Sequence, residues 1–374
     1  MKIQLQIHTK HRMTLLAALL GAAGLVPAHA QSSVQIYGII DVAVERLTNV
    51  GPDGQGQVRM PGTSGGMFPS RIGFRGSEDL GNGLKAIWTL ENGFAPDNGG
   101  LNQGGRLFGR QAWVGLSGDW GAVTVGRNYS MLFFSRFDTD TIGPSQFSMG
   151  SLDAYLPNDR KDNSVSYKGT FSGVTVGATY SLGRDSATTG GPSATSCGGE
   201  SATDDKACRA WSAMLRYDSK RWGAALAYDT YNGGPGAAAP FSPTSSALSD
   251  SRINLGAYGV VGNWKISGGR FWRDNEASAL TPRSTLSYLG AAYTLSPTIV
   301  IDGQLLRLDF RDSANDTNMV VLRGMYNFSK RTTAYVMAGK VNNSGSAAVA
   351  LSAGATTRAG GTQNGIMTGL KHAF

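Results

Sequence analysis

The chain has 374 residues, with 34 Lys and Arg against 26 Asp and Glu, a formal net charge of +8, and 52 glycines. Charged residues make up only 16%, which excludes a long disordered or solvating chain. Its 4 histidines (His8, His11, His29 and His372) and 2 cysteines leave little material for multi-histidine catalysis or a Cys/His metal set.

The first predicted element is a leader. Lys2, Lys10, His11 and Arg12 give a basic start, residues 13–26 form an apolar run, and Ala28-His29-Ala30 is a small-x-small cleavage site. Residues 1–30 are therefore expected to be removed, leaving a mature chain of 31–374. No later segment approaches the roughly 18 apolar residues of a transmembrane helix. A closed barrel is the other structure that satisfies every backbone group in lipid.

From residue 34 onward the pattern has period two. Val34, Ile36, Ile40, Val42 and Val44 share one face of the first run, and Gln35, Tyr37, Asp41 and Glu45 share the other, with Ile39 and Ala43. That alternation predicts a strand. Similar runs follow, separated alternately by tight turns and long polar segments. The turns fall at 78–83, 117–121, 169–173, 218–221, 261–263, 295–297 and 329–330. The long segments are 47–70, 92–105, 128–159, 183–206, 232–251, 274–283, 310–316 and 341–360.

This alternation predicts sixteen strands with all long loops at one end and both chain ends at the other. A soluble sandwich has no reason to sort its connections this way, whereas an outer-membrane barrel has short periplasmic turns and long external loops. The fold class expected is all-β, a 16-stranded antiparallel transmembrane β-barrel. The last run places Ile366, Leu370, His372 and Phe374 on one face. Gly365, Met367, Gly369, Lys371 and Ala373 lie on the other, as a lumen wall requires. Tyr37, Trp88, Tyr180, Trp211, Trp222, Tyr228 and Trp264 are expected in interfacial girdles. Cys197 and Cys208 flank ten residues in one long loop, and export makes a disulfide the expected state.

Several stretches together resemble a known family. They are SVQIYGIID (33–41), SRIGFRGSEDLGNGLKAIWTL (70–90), FGRQAWVGL (108–116), GAVTVGR (121–127), RKDNSVSY (160–167), YNFSKRTTAY (326–335) and GLKHAF (369–374). Over essentially all of 31–374 the chain resembles the trimeric general porins of Gram-negative outer membranes, in their β-proteobacterial branch. The resemblance implies a homotrimeric diffusion channel for ions and small hydrophilic solutes, seated among outer-membrane lipid and lipopolysaccharide, with no cofactor. It also implies that the third long loop, 128–159, folds into the lumen, and that Phe374 serves as the assembly signal. Arg71, Arg110 and Arg160 match the family's basic constriction positions.

Fixed charge at a narrow, water-filled section selects ions because low-dielectric walls focus the field. Arginine suits such a wall because it stays charged beside other arginines. Parity places Arg71 with Gly73 and Arg75 on the lumen face. Arg110 shares a face with Phe108, Ala112 and Val114, while Gln111 and Trp113 share the other, so its direction stays open. Arg160 precedes a strand and its direction is unset. Asp138, Asp140 and Asp153 are the acidic candidates of the constriction loop. The sequence departs from relatives at Gln146-Phe147, where an acid often precedes the Phe, and at Ile39, where some have lysine. Together these charges predict a weak anion preference.

Two rivals remain: a substrate-specific channel, which needs an aromatic slide the sequence does not display, and a surface-exposed β-rich adhesin without a channel. An enzyme is not expected. No metal site and no clustered Lys/Arg face for nucleic acid is visible.

Overall fold

The structure is a computed structural model that describes residues 33–62, 65–184, 197–237, 243–278 and 281–374; the expected leader lies outside them. The strands are β1 (Ser33–Val50), β2 (Gln55–Arg59), β3 (Arg71–Gly81), β4 (Leu84–Gly93), β5 (Gln111–Gly118), β6 (Gly121–Tyr129), β7 (Arg160–Phe171) and β8 (Val174–Gly183). They continue as β9 (Ala210–Asp218), β10 (Trp222–Asn232), β11 (Ser249–Val261), β12 (Trp264–Asn275), β13 (Arg283–Thr294), β14 (Ile299–Phe310), β15 (Thr317–Asn327), β16 (Thr332–Asn343) and β17 (Thr362–Ala373).

From β3 onward each strand pairs antiparallel with the next, and β17 returns to β1, with Ile39 opposite Ala373 and Leu47 opposite Gly365. The result is a closed 16-stranded antiparallel barrel, with β2 as an extra short strand. The expected loop at 47–70 is thus partly structured. Gly51 and Gly54, both at positive φ, turn the chain so that β2 pairs back on the end of β1. Arg59 Nε lies 2.5 Å from Glu45 Oε1 and fixes that hairpin. Phe374 closes the barrel by exchanging two backbone hydrogen bonds of 3.1 Å with Gly38.

The register turns the period-two pattern into two surfaces. Val34, Ile36, Ile40 and Val44 face outward and are exposed, while Asp41 and Glu45 face inward and are fully buried. On β17 the outward residues are Ile366, Leu370 and Phe374, as expected. Trp88, Tyr180, Trp211, Trp222, Tyr228 and Trp264 also point outward, where amphipathic rings mark the interfaces. Neighbouring rings pack together, Trp211 on Tyr228 and Trp264 on Tyr293, each at 4.6 Å. Tyr37 is the exception. It sits on the inward parity, and its hydroxyl donates to Glu91 Oε2 at 2.9 Å, so it is a lumen residue and not part of a girdle.

Apolar packing lies inside the barrel rather than between layers. The loop 130–159 enters the lumen through α1 (Met131–Ser135) and returns through α2 (Met149–Leu152). The Ser130 and Ser148 side chains cap these helices by accepting from Phe133 N and Gly150 N. Met131, Leu132, Ile142, Phe147 and Leu156 are buried against inward residues such as Met214, Leu286, Val321, Met337 and Met367. Cys197 and Cys208 are joined by a disulfide at the long-loop end, with Cα atoms 5.3 Å apart.

Candidate pore constriction

Three strands and one loop bring the basic candidates together. Arg71 opens β3 opposite Ile39 and Gly93, on the inward parity read from the sequence. Arg110 lies just before β5, where Gln111 and Trp113 take the inward parity through Glu91 and Thr89. Outside the ladder it departs from alternation and also turns inward. Its Nε donates to Glu91 Oε1 at 2.6 Å and its Nη2 to the Tyr129 hydroxyl at 2.7 Å. Arg160 Nη2 donates to the same hydroxyl at 3.2 Å, and its guanidinium lies 4.7 Å over the Tyr129 ring. Arg71 interacts electrostatically with Arg110, Tyr129, Glu91 and Tyr37. Arg71 and Arg110 therefore face Glu91, and Arg160 joins them through Tyr129, with Asp159 as its own acidic neighbour. They differ in access: Arg71 is half-buried, whereas Arg110 and Arg160 are only 3% and 2% exposed.

The acidic candidates do not join this cluster. Asp138 is held by Lys265 Nζ at 2.6 Å and Arg216 Nη2 at 2.8 Å. Burial opposes its ionisation, but these two cations outweigh it and keep the carboxyl below its usual range. Asp140, half-buried, accepts from Gly143 N at 3.2 Å and Gln304 Nε2 at 3.1 Å, and burial raises its pKa. Asp153 accepts from Arg252 Nε at 2.8 Å and Nη2 at 3.2 Å. Burial again works against the charge, yet Arg252 and Arg273 hold the carboxyl well below its ordinary value. All three are engaged with the barrel wall or the loop itself, apart from the arginine cluster.

The wall residues that hold the loop were not singled out in the sequence. Arg216 donates to Phe137 O at 2.7 Å and Arg323 to Ile142 O at 3.0 Å. Lys161 Nζ reaches Asp229 at 3.0 Å and the Tyr155 hydroxyl at 2.8 Å, with no side-chain exposure. On the other side, Asp41 accepts the backbone N–H groups of Gly66, Met67 and Phe68. Gly66 O in turn accepts from Gln146 N at 3.0 Å. The first long loop thus props the tip of the third. Inward parity was the available signal for Arg216, Arg252 and Arg323; their partners were not readable.

Phe133, Phe134 and Phe137 stand on the side of α1 away from the buried Met131, Leu132 and Ser135. They continue the Tyr129 stack, with Tyr129 and Phe133 centroids 3.8 Å apart. No group of three or more His, Cys, Asp or Glu that could hold a metal occurs among the described residues.

The family model for Gram-negative porins matches residues 15–346. The chain belongs to the Gram-negative porin family. It is 29% identical to the outer membrane porin protein 32 of Delftia acidovorans over 96% of this chain and 98% of that protein. It is 37% identical to an outer membrane porin protein of Bordetella pertussis, a match spanning 46% of this chain and about half, 48%, of that relative. Its fold is similar to a solved anion-selective porin from Comamonas acidovorans, with TM-score 0.74 and 26% identity over 92% of this chain and 100% of the other. This porin is accordingly a passive channel of the Gram-negative outer membrane, not an enzyme. Membership sets aside the adhesin without a channel.

Proposed function

We propose that this porin passes small hydrophilic solutes with a weak preference for anions, set by Arg71, Arg110 and Arg160. The observation that carries this reading is the gathering of three guanidiniums around Glu91 and Tyr129, while the loop carboxylates Asp138 and Asp153 are matched by wall cations. A net positive section raises local anion concentration and lowers that of cations. The anion selectivity named for the Comamonas porin supports the same sign. The test is the zero-current potential of the reconstituted protein across a KCl gradient; an anion-sided value supports the assignment, and a cation-sided one overturns it.

The finer partners belong to the same reading. Homotrimer assembly is supported by family membership and is tested by cross-linking in native outer membranes. Contact with lipopolysaccharide is supported by an outward recess of about 400 Å³ that includes Arg307, Asn318, Lys340 and Asn342. Removal of residues 1–30 is tested by N-terminal sequencing, which should begin at Gln31. Phe374 as the assembly signal is supported by its terminal pairing with Gly38; deleting it should leave the protein unassembled.

A further inference from the structure

The loop 130–159 shows the channel an aromatic surface that packing does not require. Met131 and Leu132, at 1% and 0% exposure, already anchor α1 to the wall. The opposite side carries Phe133 and Phe134, both half-buried, and Phe137, which is 48% exposed. These residues face the interior of the barrel, so lipid does not cover them. Leaving a ring of this size in water forgoes the usual gain from burying it, which makes the exposure itself informative.

The rings are ordered relative to one another and to cations. Phe137 meets Phe133 edge-on at 5.1 Å and Phe134 at 5.7 Å. Phe133 stacks on Tyr129, whose hydroxyl holds Arg110 and Arg160. Lys168, on the inward parity of β7, places its Nζ 3.8 Å from the centroid of the Phe134 ring. The surface therefore alternates π faces and edges with positive charge, one ring away from the arginine cluster. Arg216 clamps the backbone beneath it by donating to Phe134 O and Phe137 O, so the ledge is held in place before a solute arrives.

We propose that this ledge, formed by Tyr129, Phe133, Phe134 and Phe137 beside Arg71 and Lys168, binds small aromatic carboxylates on their way through the pore. A flat ring with one carboxylate can place an edge or face against Phe137 and meet the edge of Phe133, whose faces are taken by Tyr129 and the Arg136 guanidinium, while its charge stays near the basic residues. An aliphatic carboxylate of the same size gains only the charge. Aromatic pairs contribute beyond their area, by an amount equivalent to about three- to tenfold in affinity. The proposal rests on the channel reading and adds a solute class to it.

The test uses the mature protein in planar bilayers, with benzoate and cyclohexanecarboxylate added separately at neutral pH. The two probes share charge and approximate size and differ in the π system. Benzoate is expected to reduce the KCl current with a half-saturating concentration about three- to tenfold below that of cyclohexanecarboxylate. In Phe133→Leu/Phe137→Leu this ratio should fall to near one. Equal block by both probes in the native protein overturns the proposal, as does a ratio that survives the double substitution. Should the double variant form no channels, Phe137→Leu alone decides, because that exposed ring contributes least to folding. A cation-sided KCl potential would refute the anion reading separately, since the probe ratio compares anions of equal charge.

Discussion

Replacing Arg71 with Gln removes, of the three arginines proposed to set selectivity, the one most open to the lumen. The side chain is half-buried on inward parity, so the substitution should leave the barrel intact. Arg71, Arg110 and Arg160 stand against Glu91 and Asp159, and the variant removes one positive charge from this section. An ion passing about 6 Å from a guanidinium in a watery lumen at about 0.1 M salt experiences roughly 0.4–0.8 kcal/mol per charge. The anion loses this attraction and the cation loses an equal repulsion. The anion-to-cation permeability ratio should therefore fall by about four- to fifteenfold. The assay is the zero-current potential of single channels across a KCl gradient, with Asp138→Asn as the comparison. Asp138 is paired with Lys265 and Arg216, so its neutralisation should raise the anion preference slightly and never reverse it. The reasoning fails if Arg71→Gln leaves the potential unchanged while Asp138→Asn moves it strongly.

Three further outcomes follow from the way the third loop is held, and one from the disulfide. Arg252→Ala leaves the half-buried Asp153 without its hydrogen-bonded cation, while Asp250 keeps Arg273, at a cost of up to about 3 kcal/mol; larger, noisier conductance and trypsin cleavage within 131–159 should result. Asp159 is buried and its carboxyl is pushed up to about 6. Its protonated form suits the docked loop, so docking is strongest below the ordinary carboxylate range and weakens as pH rises through about 6. Hydrogen exchange of the loop between about pH 4 and pH 7 should show protection declining with pH, and Asp159→Asn should flatten that dependence. Cys208→Ser should hasten proteolysis of the external loop that the disulfide closes, with KCl selectivity unaltered. A side chain at Gly365 would lie 2.7–2.9 Å from Leu47, Leu351 and Phe147; Gly365→Val should therefore displace the loop tip and change single-channel conductance.

Much of the barrel was legible in the sequence because its determinants are local. Alternation at Val34–Glu45 fixes which side chains meet lipid, and short and long connections report which end of the barrel they close. The same parity placed Arg71 correctly in the lumen. Parity also grouped Tyr37 with Asp41 and Glu45; the girdle expectation misread it, because an aromatic near a strand end looks the same whether it meets headgroups or, as here, a buried Glu91. Parity left Arg110 undecided because that residue stands outside the ladder, where alternation no longer constrains direction.

Charge partnership was decided only by the tertiary structure. Asp153 and Arg252 are 99 residues apart, and Arg323 and Ile142 are 181 apart. Which wall residue faces which loop residue depends on the registers accumulated around the closed barrel and on the path of the infolded chain. The sequence supplied the inventory of acids and bases in the lumen. The register determined that Asp138 and Asp153 face wall cations, leaving Arg71, Arg110 and Arg160 gathered around Glu91 and Tyr129 and the rings of Phe133, Phe134 and Phe137 facing the interior of the barrel.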